Sequence, residues 1–600
     1  MGYSVETEML IRFIVRAGPK GGLATDITVL QKVLRTVKLR LSQGSRDDWT
    51  FDVVDGHTWQ PKDGVVADVN VHFEIPIRLC MPWAKYNIAL VNAEWWQLHD
   101  WDWAFEEPSK GGMDLFFFKS GHVPALFPEL SAKRYVVSPW VSPAPVDFGN
   151  WATKEDRCIY LLSESVSKEA AALDIVAGWQ PDWPPLELWC SETFAAKARS
   201  LQVAGAAIEW QTEFRSREEK EARQRACKCH VVASVAEGFG YSMAEAVACG
   251  VPILWSSLPV FEWTWGLDLN RGRIDTTTKP RGNFRDLRRS FTPAALAAAV
   301  ESVFTMELSD VTALQAHYKR KLKENQEALT DAWTRVMKRV QKASPVIRVP
   351  RPLPKGTQPP KVAVITVTRN RAAWWPNMVQ NFATQDWPIS HLEWIIVDDG
   401  DEGQRLESRV AKLLEDKPGL TVRYIGTPPG QSIGAKRNAG VRAASPDVSL
   451  FMMMDDDDHY PSSSVASRAS WLSVPGVNIA YCSVIYMYDI PRYISAINTP
   501  PMRDNPAQRV SEATLTFNRT AFERRQFPDV SMAEGEAFMT GRYADSMEIP
   551  PAGIIVSFIH KGNTSSRRIP KDEEPNGCHY GFSDDYFRWL FSVGSSPVGS

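Results

Sequence analysis

From Met9 the chain reads MLIRFIVRAGPKGGLATDITVLQKVLRTVKLRL: an apolar run, a glycine loop, then apolar residues at helical spacing. That order predicts a strand, a tight turn and an amphipathic helix, the opening unit of a doubly wound parallel sheet. DGVVADVNVHFEIP and YNIALVNAEWW predict further buried strands. A second series starts at DRCIYLLSES and runs through PPLELWCSE and KCHVVASV to VPILWSS. Strands alternating with helices imply parallel sheets covered on both faces. Two such domains in series, 1–150 and 151–342, would face each other across a cleft. The second would end in a charged helical tail, Pro293 to Lys342.

The next stretch, ASPVIRVPRPLPKGTQPP, is dense in proline, which blocks helix and central strand alike, so 343–360 reads as a stiff linker. A third domain, 361–600, opens with KVAVITVTRN. Its apolar runs each end in polar residues: Thr368, Arg369, Asn370 and Arg371 after the first, Asp398 and Asp399 after EWIIV, and Asp455, Asp456, Asp457 and Asp458 after LFMMM. The loop GQSIGAKRNAG adds Lys436, Arg437 and Asn438. Ligands of open parallel sheets bind beyond the carboxyl ends of strands, so these groups describe one site. Four adjacent carboxylates at a strand end repel one another and require a counter-charge.

Composition narrows the partners. The 68 basic and 71 acidic residues leave a net charge of −3, which gives no long-range attraction to nucleic acid. No basic-apolar-small leader opens the chain and no window approaches eighteen uncharged apolar residues, so the expectation is a cytoplasmic protein without a membrane span. The eight cysteines form no CxxC pair. Cys227-Lys228-Cys229-His230 is spaced too tightly for a tetrahedral metal site and leads into apolar VVASV, so it reads as a strand entry.

Two motif sets resemble known families. VAEGFGYSMAEAVACGVPILWSS places Glu237 and Glu245 with seven residues between them, around a glycine turn and helix start. It resembles the Glu-x7-Glu region of retaining GT-B glycosyltransferases, especially family 4. The resemblance implies Glu237 beside a donor sugar and Glu245 on the nucleotide ribose, with the Gly238–Ser242 amides facing a diphosphate. The Gly18, Gly21 and Gly22 loop would approach the ligand from the other domain. That family carries a basic pair after the first strand of its second domain, where this chain offers only Lys168 and puts Glu164 where a positive charge is expected. This half is either a transferase with altered donor contacts or a domain kept for binding or architecture.

The order of motifs in 361–600 resembles the nucleotide-diphospho-sugar domain of inverting GT-A glycosyltransferases, particularly family 2. By that resemblance Thr368 and Asp399 hold the base and ribose, with Arg369, Asn370 and Asp398 around them, and Arg437 fixes the nucleotide. The acidic run, with His560 of SFIHKGNTSS as a further candidate, carries Mn²⁺ or Mg²⁺, since hard carboxylate oxygens suit either. His560, Asn563 and Thr564 are similar to the family's His-x-x-Asn segment. The general base falls in MAEGEAF, where Glu536 is preferred and Glu534 is expected to bond an acceptor or an amide. The expected protein is a two-module glycosyltransferase acting from nucleotide-sugars on glycan or other hydroxyl acceptors. The alternatives are one GT-A centre with a GT-B-like binding or scaffolding half, and a DNA-modifying transferase.

Overall fold

The computed structural model describes residues 9–16, 21–41, 49–56, 59, 65–97, 101–162, 166–213, 216–280, 282, 284–344, 348–350, 358–501, 505–563, 569 and 573–595. Gly18, Glu164, Thr564 and most of the linker lie outside them.

The first sheet comprises β1 (Met9–Val15), β2 (Trp49–Asp55), β3 (Ala67–Glu74), β4 (Ala84–Val91), β5 (Leu115–Phe118) and β6 (Tyr135–Val137). They run parallel in the order β2-β1-β3-β4-β5-β6. The second comprises β7 (Glu155–Leu161), β8 (Leu186–Trp189), β9 (Ile208–Gln211), β10 (Cys227–Val232), β11 (Ile253–Ser256) and β12 (Arg273–Ile274). It is also parallel, in the order β12-β11-β10-β7-β8-β9. A hairpin of β13 (Thr277–Lys279) and β14 (Arg288–Ser290) follows. Central strands such as FFF in β5 are buried along their whole length, which accounts for unbroken apolar runs in place of alternation. The N-terminal half is thus a pair of Rossmann-like parallel-sheet domains.

The helical tail departs from the sequence reading. The Leu308–Lys342 helix crosses back to the first domain, where Leu314, Tyr318, Leu329 and Trp333 join its core. Trp333 stacks on Phe117 of β5 with centroids 4.9 Å apart.

In the third domain the strands are β15 (Val362–Thr368), β16 (Leu392–Asp398), β17 (Val422–Gly426), β18 (Leu450–Met453), β19 (Ile479–Tyr481), β20 (Ile485–Asp489), β21 (Ile494–Asn498), β22 (Thr516–Asn518), β23 (Ser546–Glu548) and β24 (Val556–Ile559). The main sheet runs β17-β16-β15-β18-β22-β19-β23, with β15 to β18 parallel and β22 antiparallel between β18 and β19. β21, β20 and β24 form a smaller sheet. The carboxyl ends of β15, β16 and β18 therefore meet at one edge.

The halves are not held apart by the linker. Trp83, from the turn before β4, sits in the third domain's core, edge-on to Trp471 at 5.9 Å. Val484 reciprocates in a core of the first domain. Buried Arg78 donates to the carbonyls of Tyr543 and, at 2.6 Å, Ser546. Linker residue Arg348 is itself buried and donates to the Pro108 carbonyl at 2.8 Å.

Candidate active site

At the edge of β15 and β16 the acidic pair divides its labour. Asp398 accepts from the amides of Gly400 (2.8 Å) and Leu406 (2.9 Å) and from the Tyr424 hydroxyl (3.1 Å), so it shapes the loop rather than facing a ligand. Asp399 accepts from Lys436 Nζ at 2.6 Å and from the Gly430 amide at 3.1 Å, and both partners of that ion pair are buried. Lys436 also reaches the Thr368 carbonyl at 3.3 Å, tying the β15 end to the Lys436–Arg437 helix, Ile433–Ala443. Arg369 and Asn370 are exposed. Asn370 adopts φ 55°, a left-handed conformation that asparagine tolerates, and brackets Asp401 with bonds of 2.7 and 2.8 Å.

The structure shows how four carboxylates in sequence are accommodated. They do not share one surface. Asp458 turns inward, accepting from the Phe558 amide at 3.0 Å, and burial followed by the Asp457 charge pushes its carboxyl well up. Asp456 is buried too, and burial with the same neighbour raises it to about 7. Asp455 and Asp457 face the cations. Arg437 approaches Asp455 at 3.3 Å; Arg371 and His560 approach Asp457 at 3.3 and 3.1 Å. Burial alone would raise Asp457, but the His560 hydrogen bond and Arg371 hold it below the usual range. The Gly562 amide donates to His560 Nδ1 at 3.1 Å, so Nε2 carries the proton and donates to Asp457. His560 in this arrangement positions a carboxylate.

The backbone of the run is clamped from below by residues that the sequence reading did not single out. Asn377 donates to the carbonyls of Asp456 and Asp458 at 3.2 and 2.8 Å. Asn381 donates to Asp458 at 2.7 Å and accepts from the Tyr460 amide at 3.0 Å. Gln385 reaches the Tyr460 and Pro461 carbonyls at 3.3 and 3.1 Å. Their spacing of four residues was a readable signal: a polar stripe down one face of WWPNMVQNFATQ.

Glu534 opens the Glu534–Met539 helix, with Ala533 before it at φ 54°. It is buried and accepts from Arg437 Nε at 3.1 Å, so Arg437 bridges Glu534 and Asp455. Glu536 lies on another side and accepts from Gln508 at 3.1 Å.

The residues present suit a divalent cation. Among the described residues no three His, Cys, Asp or Glu side chains converge as a complete cage. Asp455 and Asp457 instead offer two hard carboxylates at a strand end, the modest donor set used where substrate phosphates complete the shell.

The N-terminal half encloses a second site, a cavity of about 1150 Å³ lined from both domains. Gly22, Lys168, Glu237, Gly240 and Glu245 all border it. Lys168 pairs with Glu237 at 3.3 Å, and Lys220 with Glu245 at 3.0 Å. A Cβ on Gly238 would lie 2.6 Å from a Glu94 carboxylate oxygen. Burial, and next the Glu237 charge, raise Glu94 to about 8. The Cys227-to-His230 segment is part of β10, and buried His230 bonds the Gln224 carbonyl at 2.7 Å.

The parallel strand ends of the third domain thus gather an acidic pair, two basic side chains and a buried glutamate at one edge. Residues 363–538 match the family model for glycosyl transferase family 2, so the C-terminal module carries a glycosyltransferase domain of that family. Comparison with curated proteins gives no match. Among solved structures the chain is similar to a mannosyltransferase from Pyrobaculum calidifontis in complex with GDP-Man and Mn²⁺. Identity there is 20%, covering 37% of this chain and 62% of that one, with a TM-score of 0.27. It is also similar to TarS 1–349 of S. aureus (18% identity, 33% and 60% covered, TM-score 0.27). The chain spans less than two thirds of either structure. A trehalose-6-phosphate synthase, OtsA, is 10% identical over 56% of this chain and 100% of that one, with a TM-score of 0.39. Among the described residues no helix is long and apolar enough to cross a membrane.

Proposed function

We propose that the chain is a glycosyltransferase whose transfer centre is the edge formed by β15, β16 and β18, using a nucleotide-sugar donor and a hydroxyl acceptor with inversion. The observation that supports this most is Arg437, which joins Glu534 to the acidic strand end from within the family-matched segment. Thr368, Asp399 and Lys436 form the wall against which the base and ribose rest. Asp455 and Asp457 would hold Mn²⁺ or Mg²⁺, which when bound neutralises the charge that builds on the departing diphosphate. His560 and Arg371 keep Asp457 aimed. Glu534 takes the proton from the acceptor hydroxyl as that oxygen bonds to the anomeric carbon and the bond to the diphosphate breaks. The geometry moves the preference for the base from Glu536 to Glu534, since only Glu534 is brought to Arg437 and the acidic strand end.

The test is a panel of nucleotide-sugars incubated with the full chain, following release of nucleoside diphosphate and transfer to added glycans. The expected result is turnover of at least one donor, suppressed by EDTA and restored by Mn²⁺ or Mg²⁺. Metal-independent turnover would sink the cation assignment, and no turnover with any donor would sink the reading.

A further inference from the structure

We propose that the cavity between the two N-terminal domains is a binding site for a neutral carbohydrate chain and not for a nucleotide. The glycine turn beside the cavity is closely packed by the first domain. In the glycine turn before the Tyr241–Ala248 helix, the open face of Gly238 meets both Glu94 carboxylate oxygens, 2.6 and 2.8 Å from where a Cβ would stand, and Asn92 Oδ1 at 2.9 Å. The first domain thus packs Glu94 and Asn92 directly against this turn.

The cations of the cavity are committed. Lys119 is buried against Asp26 at 2.7 Å, Lys168 is held by Glu237 and Lys220 by Glu245. Arg217 pairs with Glu221 at 2.8 Å, and Arg225 lies 3.8 Å from the same carboxylate. Acidic side chains along the lining outnumber basic ones seven to five. A diphosphate would have to displace these pairs.

Uncharged hydroxyls face no such barrier. Carboxylates and amides accept from them, and the buried Asn92 Oδ1 lining the cavity has no hydrogen-bond partner of its own. Trp95 lines the same cavity while 44% exposed, offering a flat apolar face on which the C–H side of a sugar ring can lie. A volume of about 1150 Å³ exceeds the range usual for a small-ligand pocket and suits several sugar residues.

The experiment uses the full chain in two measurements: binding to a printed array of neutral oligosaccharides, and calorimetric titration with UDP, GDP and CDP. The expected result is retention of at least one neutral oligosaccharide, weakened about tenfold or more by Trp95→Ala, with no more than one nucleoside diphosphate bound per chain. Because Trp95 is exposed, its removal leaves no core cavity, and unchanged near-ultraviolet dichroism will verify that the variant folds. Failure to bind any oligosaccharide, binding indifferent to Trp95→Ala, or two nucleotides per chain would each overturn the proposal. None of these outcomes bears on transfer at the C-terminal centre.

Discussion

Glu534 and Glu536 are two positions apart, and a helix separates such neighbours by roughly 200°. One therefore enters the Arg437 network while the other bonds Gln508. Glu534→Gln is expected to lower kcat by about 10²–10⁴-fold with donor Kd nearly unchanged, whereas Glu536→Gln stays within severalfold of wild type. Steady-state kinetics with calorimetry on both variants distinguishes them; the reverse pattern would return the role to Glu536. Glu94 supplies a pH prediction. Burial, then the Glu237 charge, raise its folded-state value from the ordinary glutamate 4.5 to about 8, with Glu74 adding to the effect and Lys119 opposing it. Between those values the folded chain binds more protons at Glu94 than the unfolded chain, so this residue makes stability fall as pH rises from about 5 to 8. Glu94→Gln should flatten that decline, read as Tm against pH. A slope equal to the wild type's would refute it.

Among the elements, the strands were the most legible. Unbroken apolar runs ending in polar residues located β15, β16 and β18, and the parallel-sheet rule then placed Asp399, Lys436 and the acidic run together. Pattern alone did not say which carboxylates face outward, because that depends on the Phe558 amide and on Arg371, brought from distant segments. Nor did it show β22 entering antiparallel, a three-residue strand too short to carry a period. The amide stripe Asn377–Asn381–Gln385 was in principle readable but looks like ordinary helix polarity until the turn it clamps is known. Asn381→Ala leaves a Tyr460 amide and an Asp458 carbonyl buried without that partner, so it should cost about 1–3 kcal/mol of stability, measured by denaturant unfolding. No measurable loss would mean the turn is held by its other contacts.

At the scale of the molecule, the proline-rich stretch reads as a stiff linker, yet Trp83, Trp471 and Arg78 make a shared interior between the halves. Such contacts are invisible to sequence reading because each half presents them as ordinary core aromatics and a surface-type cation. Arg78 holds the carbonyls of Tyr543 and Ser546, just beyond the helix that carries Glu534. Arg78→Ala is therefore expected to reduce kcat more than donor affinity, with partial rescue by Arg78→Lys; a change in donor affinity alone would contradict that coupling.

The most direct test of the C-terminal transfer centre is kcat for Asp457→Ala in the full chain, with the donor that the wild type turns over and with folding verified by near-ultraviolet dichroism. Removing the carboxylate that His560 and Arg371 aim should cost about 10²-fold or more in kcat. Wild-type kcat in the folded variant would contradict it.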